Sequence, residues 1–401
     1  MRRIIMHIDV NNAFLSWSAI DLLNKGYGYD IRNSYAVIGG DEQKRSGIVL
    51  AKSTPAKKLG IYTSETLYSA RKKCRVLKTY PPNYTFYAQM SKKLFELLSK
   101  YSPDIEVASI DECYLDYGKV KKLYGDEVEF AYHLKKEIKE TLGFTVNIGI
   151  ANNKLCAKMA SDFEKPDKVH TLYEEEVKSK MFPLSVKELF GIGKKTAPKL
   201  EQLGIRTIED LANFNVGDLS KYFKNQAFHY VQIANGIDDT PVVSSKADPL
   251  SISNEITLTR DVADYQELCK YLMSISDLVA LRLRKQNKYT NVVAVILKDN
   301  FFRRKTHQKR LDNATNTSIQ IYNMAKEILK EMWNGYPIRL IGIRLDKLVE
   351  NINFQTSLFD IINPDQEEKV EKMIDQLKEK FGHKIIKKAS LIETKIDKKY
   401  H

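Results

Sequence analysis

The chain has 401 residues, 43% of them hydrophobic, which is enough for two to four domains with apolar cores. Its 64 Lys and Arg residues outnumber its 51 Asp and Glu residues, and the net charge of +13 favours a polyanionic partner. The four cysteines are scattered and form no CxxC pair, so neither a zinc site nor a disulfide framework is indicated. The sequence enters a strand pattern directly, without a signal peptide, and no apolar run approaches the roughly 18–20 residues of a membrane span. We therefore expect a cytoplasmic protein without a membrane partner.

The first part of the chain alternates strand and helix patterns. In chain order, the apolar spacing predicts a buried strand at 2–9, a helix at 12–25, two strands with a short basic helix over 35–60, a helix at 90–101, two strands around a tight turn over 105–116, a helix at 128–142, a strand at 145–150 and the start of a helix at 154–161. The order strand, helix, strand, strand, helix, strand is that of a split βαβ, ferredoxin-like sheet.

Three carboxylates fall within or beside these strand patterns. Asp9 closes the apolar run 4–8, and Asp111 and Glu112 lie near the turn of the 105–116 segment. Because burying an unpaired charge is costly, clustered acids at such positions usually bind a cation. Oxygen ligands suit Mg²⁺, and two such ions can bind the attacking and leaving oxygens of a phosphoryl transfer. On spacing alone, the alternative is three unrelated solvated acids at strand ends.

A glycine-rich turn distinguishes the segment 189–210. Gly191-Ile192-Gly193 is followed by Lys194 and by a short helix pattern at 196–203. Such a turn between two short helices, a helix-hairpin-helix, exposes backbone N–H groups and binds nucleic-acid phosphate without reading base sequence. The alternative is a plain connector between helices, but the neighbouring lysines favour DNA contact.

The C-terminal part follows a polar, charged linker and fits a small α/β sheet domain. The patterns predict strands at 251–259, 291–298, 301–311 and 338–348, helices at 265–285 and 317–332, and a charged helix from about residue 366. Residues 282–310 contain ten Lys or Arg residues and one acid, Asp299. A solvated face is the usual reason for a charge run, but a run this one-sided is more typical of a track along a phosphate backbone.

Four segments together resemble the Y family of translesion DNA polymerases over nearly the whole chain. They are Asp9-Val10-Asn11-Asn12-Ala13-Phe14, Ser109-Ile110-Asp111-Glu112, residues 154–166 and Phe190-Gly191-Ile192-Gly193. The most similar subgroups are bacterial polymerase IV and the catalytic subunit of polymerase V, and the Asp9-Val10-Asn11 sequence and the long tail favour the latter. The resemblance implies a multidomain α+β and α/β right-hand fold, with a ferredoxin-like palm, small fingers, a helix-hairpin-helix thumb and a separate α/β little finger.

The resemblance also implies domain boundaries and metal ligands. The domains are a palm at 1–12 and 77–166, fingers at 13–76, a thumb at 167–241, a linker at 242–249, a little finger at 250–350 and a tail at 351–401. Two Mg²⁺ ions would be bound by the carboxylates of Asp9, Asp111 and Glu112 and by the backbone carbonyl of Val10, and would activate the primer 3′-hydroxyl and neutralise the leaving pyrophosphate. The strand alternation separates Asp116 from the acid pair, so we interpret Asp116 as a structural residue.

The implied nucleotide site contains one aromatic residue and several polar ones. Phe14 matches the steric gate, a ring that leaves no room for a 2′-hydroxyl, although the helix pattern alone would make it a core residue. Lys165 matches a lysine that contacts the triphosphate. Lys57 stands where many members have Arg. Lysine keeps the positive charge but cannot form the two parallel hydrogen bonds of a guanidinium. Thr54 stands where many members have Tyr. Either phosphate contact or simple solvation would suit Lys154 and Lys158, which lie one helical turn apart.

The implied partners are primer-template DNA, a dNTP and a β-type sliding clamp, and we expect a monomer. The residues matched to DNA contact are Gly191, Gly193, Lys194, Arg303, Arg304, Arg339 and Arg344. Leu340 replaces a second basic residue of many members, so one contact is expected to be missing. The segment Gln355-Thr356-Ser357-Leu358-Phe359 resembles the clamp-binding peptide, in which Gln355 and the pair Leu358 and Phe359 fill two pockets. The alternative is a linker with an incidental apolar pair.

Two other functions are compatible with parts of the pattern. A nucleotidyl cyclase also places metal-binding acids on a ferredoxin-like sheet, but it has no need for a helix-hairpin-helix or a basic C-terminal domain. A non-catalytic, clamp-tethered DNA-binding protein would need no acid triad. The sequence therefore favours a DNA-directed DNA polymerase with low fidelity, low processivity and no proofreading exonuclease, as the resemblance implies.

Overall fold

The computed structural model describes residues 3–43, 45, 47–245, 248–350, 364–382 and 385–386. The chain divides into two compact units, Met1–Gly40 with Gly47–Lys246 and Asp41–Ser46 with Ala247–His401. Among the described residues, every helix is too short or too polar to cross a membrane.

Twelve strands and fourteen α-helices make up the described part of the chain. The strands are β1 (Ile5–Val10), β2 (Ala36–Gly39), β3 (Val49–Lys52), β4 (Lys78–Tyr80), β5 (Ile105–Val107), β6 (Glu112–Asp116), β7 (Val146–Ala151), β8 (Val169–Leu172), β9 (Ser251–Val262), β10 (Tyr289–Asp299), β11 (Arg304–Thr315) and β12 (Ile338–Val349). The helices are α1 (Ala13–Asn24), α2 (Thr54–Lys58), α3 (Leu67–Lys73), α4 (Tyr84–Ser99), α5 (Lys121–Tyr124), α6 (Glu127–Leu142), α7 (Lys154–Asp162), α8 (Ala197–Gln202), α9 (Ile208–Ala212), α10 (Val216–Phe223), α11 (Gln226–Ala234), α12 (Tyr265–Lys285), α13 (Ser318–Met332) and α14 (Pro364–Phe381).

A five-stranded sheet in the order β5-β6-β1-β7-β8 forms the centre of the first unit. Strand β1 lies antiparallel between β6 and β7, and β5 lies antiparallel to β6. This order confirms the predicted ferredoxin-like sheet. Successive side chains of a strand point to opposite faces, so β1 presents Met6 and Ile8 to a core with helices α4 and α6, while Ile5 packs in the core of α7.

Two short strands fall outside the predicted domain limits. Residues 78–80 pair in parallel with β2 in a three-stranded sheet, β3-β2-β4, so the small finger sheet extends beyond residue 76. Residues 169–172 pair in parallel with β7, so the palm sheet extends beyond residue 166. Strands of three or four residues contain too few side chains to show a periodic pattern, which is why these two were missed.

The helix-hairpin-helix region is made of short elements. A 3₁₀ turn at Val186–Glu188 precedes the glycines, and α8 follows them. The expected first helix is thus a single 3₁₀ turn. Buried Leu189, Ile192 and Leu200 attach the region to the α7 core.

The second unit is a four-stranded antiparallel sheet in the order β11-β10-β12-β9, with α12 and α13 packed on one face. All four strands and both helices agree with the predicted elements to within a few residues. Val293, Val295 and Ile343 point into the helical core, and the alternate residues form the other face of the sheet. Helix α14 also belongs to this unit.

Candidate active site

Strand pairing brings two of the predicted acids together. Asp9 lies directly opposite Glu112 in the β1–β6 register. Asp111 is in the turn just before β6, and its carbonyl accepts a hydrogen bond of 3.0 Å from the Val10 amide. The backbone of β1 therefore holds all three carboxylates and Val10 at one end of the sheet.

Helix α7 crosses the same face of the sheet at very short range. A Cβ atom at Gly149 of β7 would lie 2.0 Å from the Ala157 carbonyl oxygen, so only glycine allows this approach. The crossing places the nearly buried Lys158 ammonium 3.1 Å from Asp9 Oδ2 and 2.8 Å from Glu112 Oε2. Burial alone would lower the pKa of Lys158, but the charges of Asp9, Glu112 and Asp162 outweigh it and raise the pKa above its ordinary value.

His7 lies under the acids on the same face of β1. Its ring is fully buried, with Nδ1 2.8 Å from Ser161 Oγ and Nε2 3.4 Å from Glu112 Oε2. Burial lowers the pKa of His7, so the imidazole is neutral near pH 7. One ligand atom from each of His7, Asp9 and Glu112 lies within 4.8 Å of the others, which is close enough to hold a metal ion.

The two adjacent acids have opposite electrostatic environments. The nearby His7 ring and the interaction with Lys158 outweigh burial and hold the pKa of Glu112 at about 2. Burial raises the pKa of Asp111, and the negative charges of Asp9 and Glu112 raise it further, although Ser109 donates a 2.6 Å hydrogen bond to its carboxylate. Glu112 is thus stabilised as an anion, whereas burial and the neighbouring acids disfavour the ionised form of Asp111.

Lys165 also reaches the acid cluster. Its ammonium lies 2.9 Å from Asp9 Oδ2 and 2.8 Å from Asp162 Oδ1. Burial would lower the pKa of Lys165, but the nearby charges of Asp9 and Asp162 raise it above the ordinary value. The predicted phosphate ligand is therefore a positive charge beside the predicted metal ligands.

Phe14 follows directly after the acid-bearing strand. Asn12 has a left-handed backbone, φ 47°, which turns the chain from β1 into α1, and asparagine tolerates this conformation better than most residues. The half-buried Phe14 ring stacks on Tyr87 at a centroid distance of 4.6 Å and meets the edge of Tyr84. Phe14 is thus held in a defined position by the core, as a steric gate requires.

The remaining predicted nucleotide residues, Thr54 and Lys57, are exposed on α2 in the finger region. The structure gives neither of them a contact with the acids. Burial lowers the pKa of the neighbouring Lys52, and the charge of Lys57 lowers it further, so the two lysines form a local positive patch.

The predicted DNA-binding residues lie in both units. In the hairpin, Gly191, Gly193 and Lys194 are exposed, and Gly191 has a φ of 96° that a side chain would strain. In the second unit, Arg303 packs on Phe301 and Arg339 packs on Phe302.

The cross-strand pairing places Arg304 and Arg344 on the sheet face opposite the helices. There Arg304 pairs with Glu255 and Arg344 with Asp346. The predicted clamp peptide, Gln355 with Leu358 and Phe359, lies outside the described residues.

Part of the basic run 282–310 serves a structural purpose. Arg284 and Lys288 are each less than 10% exposed. Arg284 pairs with acids of α14, and Lys288 lies 2.7 Å from Asp248. The interpretation of the run as a phosphate track is therefore wrong for these two residues.

Sequence patterns do not predict the place of His7 in the site, and they are compatible with two roles for Lys158. The signal for His7 was its position two residues before Asp9, on the same face of one strand. Lys158 is buried among acids, which excludes simple solvation, while Lys154 pairs with Glu106 at 2.6 Å, in a separate ion pair.

Family models match most of the chain. The impB/mucB/samB family model matches residues 8–162, the model of its C-terminal domain matches 249–358, and the IMS family HHH motif matches 174–205. The chain is 44% identical to DNA polymerase IV of Clostridium acetobutylicum, covering 98% of this chain and 99% of that protein. The chain belongs to the Y family of DNA polymerases.

Other relatives agree with this family assignment. DNA polymerase IV of Clostridium kluyveri is 36% identical and that of Alkaliphilus oremlandii 35%, each over 98% of this chain, with 99% and 100% of those proteins covered. Among solved structures, the Y-family DNA polymerase chimera Dbh-Dpo4(243-245)-Dbh has a TM-score of 0.76 and 25% identity, covering 87% of this chain and all of that one. The right-hand fold with a separate little finger is thereby confirmed, and the named relatives favour the polymerase IV subgroup over the polymerase V subunit.

Proposed function

We propose that this chain is a template-directed DNA polymerase of the translesion type, which adds dNTPs to a primer 3′-end opposite damaged or undamaged template. The observation that carries the proposal is the register pairing of Asp9 with Glu112, with Asp111 beside them and with two lysines against their oxygens. A DNA-binding scaffold would gain nothing from gathering these charges.

The donor chemistry of the cluster fits a hard divalent cation. Asp9, Asp111 and Glu112 would hold two Mg²⁺ ions together with the Val10 carbonyl, because carboxylate and carbonyl oxygens are the ligands that Mg²⁺ prefers. When bound there, such ions would lower the pKa of the attacking hydroxyl and neutralise charge on the leaving pyrophosphate. The raised pKa of Asp111 supports this assignment, since a nearby cation is what its carboxylate lacks.

The protein's own side chains would position the substrates. The Lys165 ammonium beside Asp9, and Lys57 on the finger helix, would bind the triphosphate, and Thr54 would offer a hydroxyl to it. Phe14, fixed against Tyr87, would occupy the space that a ribonucleotide needs for its 2′-hydroxyl. Lys158 keeps Glu112 ionised and oriented.

DNA and clamp binding complete the proposal. The hairpin residues Gly191, Gly193 and Lys194 would bind the phosphate backbone without reading sequence, and Arg303, Arg304, Arg339 and Arg344 would do so in the little finger. The peptide from Gln355 to Phe359 would bind a β-type sliding clamp. We further propose a monomer in the cytoplasm, where bacterial DNA is found, with low fidelity and no proofreading.

Primer extension on four templates, each with a different base opposite the incoming nucleotide, tests the proposal. The wild-type protein with Mg²⁺ and dNTPs is expected to add the complementary nucleotide, and EDTA is expected to abolish addition. Asp111→Asn should be inactive, while Asp116→Asn, at the other end of β6 and away from the cluster, should keep its activity. Equal activity of the two variants would remove the metal-site assignment, and untemplated or absent synthesis by the wild type would contradict the polymerase.

A further inference from the structure

Helix α14 packs on the little-finger unit through charged side chains. Arg284 of α12 is 9% exposed and donates to Asp375 at 2.6 Å and to Glu371. Glu371 also accepts a 2.9 Å hydrogen bond from the Ser318 amide at the start of α13, where the helix dipole favours an anion. The acids Glu371 and Asp375 lie one turn apart and thus share the docked face of α14.

A second set of contacts extends this face toward the start of α14. Glu368 accepts 3.0 Å hydrogen bonds from Tyr289 and from Asn316, and Gln320 donates to Glu367 at 3.1 Å. Burial would raise the pKa of Glu368, but bonds from Lys372, Asn316 and Tyr289 outweigh it and lower the pKa. A buried arginine without its acids would be strongly destabilising, so these contacts hold the helix in place.

Four apolar side chains of α14 are left in solvent by this arrangement, whereas Ile374, beside the docked Asp375, is half-buried. Val370, Met373, Leu377 and Phe381 are 57%, 63%, 39% and 58% exposed. Their spacing of three and then four and four residues aligns them in one stripe along the helix. Surface helices normally bury such a stripe against the protein and turn their charges outward, and contiguous exposed apolar patches commonly mark binding sites. In α14, by contrast, acids make most of the contacts with the unit, and the apolar stripe faces solvent.

The connection between the proposed clamp peptide and the stripe is short, and this indicates which partner would cover the stripe. Only residues 360–363 separate Phe359 from the start of α14. Fully extended, that connection spans at most about 18 Å. A clamp holding Leu358 and Phe359 would therefore have its surface within reach of an apolar stripe that is fixed, exposed and roughly 17 Å long.

We propose that the α14 stripe is a second clamp-binding surface, which packs against an apolar area of the same sliding clamp beside the peptide pocket. This inference rests on the clamp binding in the proposed function. The peptide and the stripe would act as two linked contacts, so binding of one raises the effective concentration of the other at the clamp. The charged docking of α14 would keep the stripe available instead of buried in the polymerase.

Binding of the full-length protein to its purified β-type clamp, measured by surface plasmon resonance, tests the proposal. Met373→Gln combined with Leu377→Gln keeps good helix formers and is expected to weaken clamp binding about tenfold. Gln376→Ala combined with Glu379→Ala, on the same helix beside the stripe, should leave affinity unchanged. Clamp-free primer extension should be unaffected in both variants.

Leu358→Ala combined with Phe359→Ala separates this inference from the proposal on which it rests. Loss of binding in this variant and in the stripe variant supports both contacts. If only the peptide variant loses clamp binding, the stripe is not a clamp contact and the proposal is overturned. If only the stripe variant loses clamp binding, the stripe is supported as a clamp contact and the peptide is not one. A wild-type protein that does not bind the clamp overturns both.

Hydrogen exchange of the wild-type protein provides a readout that does not depend on a variant folding. Residues 366–381 should become protected when the clamp is added, and unchanged exchange there would overturn the proposal. Light scattering of the stripe variant checks the rival partner, a second copy of this chain. A wild-type dimer that dissociates in the stripe variant, with clamp affinity intact, would assign the stripe to self-association and overturn clamp binding.

Discussion

In the palm, Asp9 and Glu112 lie partly buried against the ammonium of Lys158, whereas in the little finger Arg303 and Arg304 extend into solvent, with side chains 73% and 49% exposed. Charge interactions in the first region take place at low dielectric, where one missing partner leaves a costly unpaired group. Interactions in the second are weakened by water and salt. Single substitutions of charged residues should therefore have larger effects in the palm than in the little finger.

The largest change in specificity is expected at Phe14, because the shape of its ring, and not a charge, would decide whether a ribonucleotide fits. Phe14→Ala should reduce discrimination against ribonucleotides on the order of a hundredfold, because the space beside C2′ opens. Single-nucleotide insertion kinetics with a dNTP and the matching rNTP measure it. Phe86→Ala, which removes another half-buried ring from the same core, should leave the ratio unchanged. An unchanged ratio for Phe14→Ala would assign Phe14 to the core alone.

The two adjacent acids should affect stability in opposite directions. Glu112→Gln is expected to lower the free energy of unfolding by about 2 kcal/mol, since it leaves Lys158 short of a buried partner. Asp111→Asn should raise it, because it removes a buried charge that repels Asp9 and Glu112. Urea unfolding at pH 7 in EDTA measures both, with Asp116→Asn as control. The same sign for both variants would contradict the electrostatic contrast.

The pKa shifts give the corresponding pH dependence. The folded pKa of Glu112, about 2, lies below its ordinary value, so its stabilising contribution is complete above that ordinary value and is lost as the pH falls toward 2. Burial and the charges of Asp9 and Glu112 raise the pKa of Asp111, so its destabilising charge is present above that raised pKa and is lost as the pH falls through it.

A smaller effect is expected at Lys165. Lys165→Met should raise KM for the incoming dNTP about tenfold, the size expected for one charge-assisted hydrogen bond to phosphate, with little change in DNA affinity. Steady-state insertion kinetics with saturating primer-template measure it. Lys168→Met, a nearby lysine that pairs with Glu164, is the control. Equal effects of the two substitutions would mean that only net charge matters.

The smallest effect is expected in the little finger. Arg344→Ala should weaken DNA binding only about threefold at moderate salt and reduce the slope of log affinity against log salt by about one. Fluorescence anisotropy over a salt series measures it. Arg260→Ala, whose side chain pairs with Glu267 on the helical face of the same sheet, should leave the slope unchanged. A hundredfold loss for Arg344→Ala would break the contrast between the two regions.

Sequence patterns predicted the structure best where local periodicity decides it. The alternation around Asp9 and the spacing of Asp111 and Glu112 indicated acids at strand ends of a ferredoxin-like sheet, and the family resemblance was needed to predict that they act together. The role of His7 had a local signal, its place two residues from Asp9, but the burial of Lys158 did not. That burial depends on how closely α7 approaches β7 at Gly149, which is a tertiary property.

The basic run shows the same limit in the second unit. Arg284 looked like part of a DNA-binding track because its neighbours in sequence are basic. Its partners Glu371 and Asp375 are 87 and 91 residues away in the sequence. No local pattern can join residues so far apart, and the docking of α14 through its acids becomes apparent only when these contacts are known.

The most direct test of the account is the number of metal ions bound when the substrates are in place. We would titrate Mn²⁺, followed by electron paramagnetic resonance, into the protein with dNTP and a primer-template that lacks the 3′-hydroxyl, and compare the wild type with Asp111→Asn. The account predicts two ions in the wild type, fewer in the variant, and no nucleotide addition by the variant on a normal primer. Two ions bound equally tightly by both proteins would contradict the assignment of the acid cluster as the catalytic metal centre.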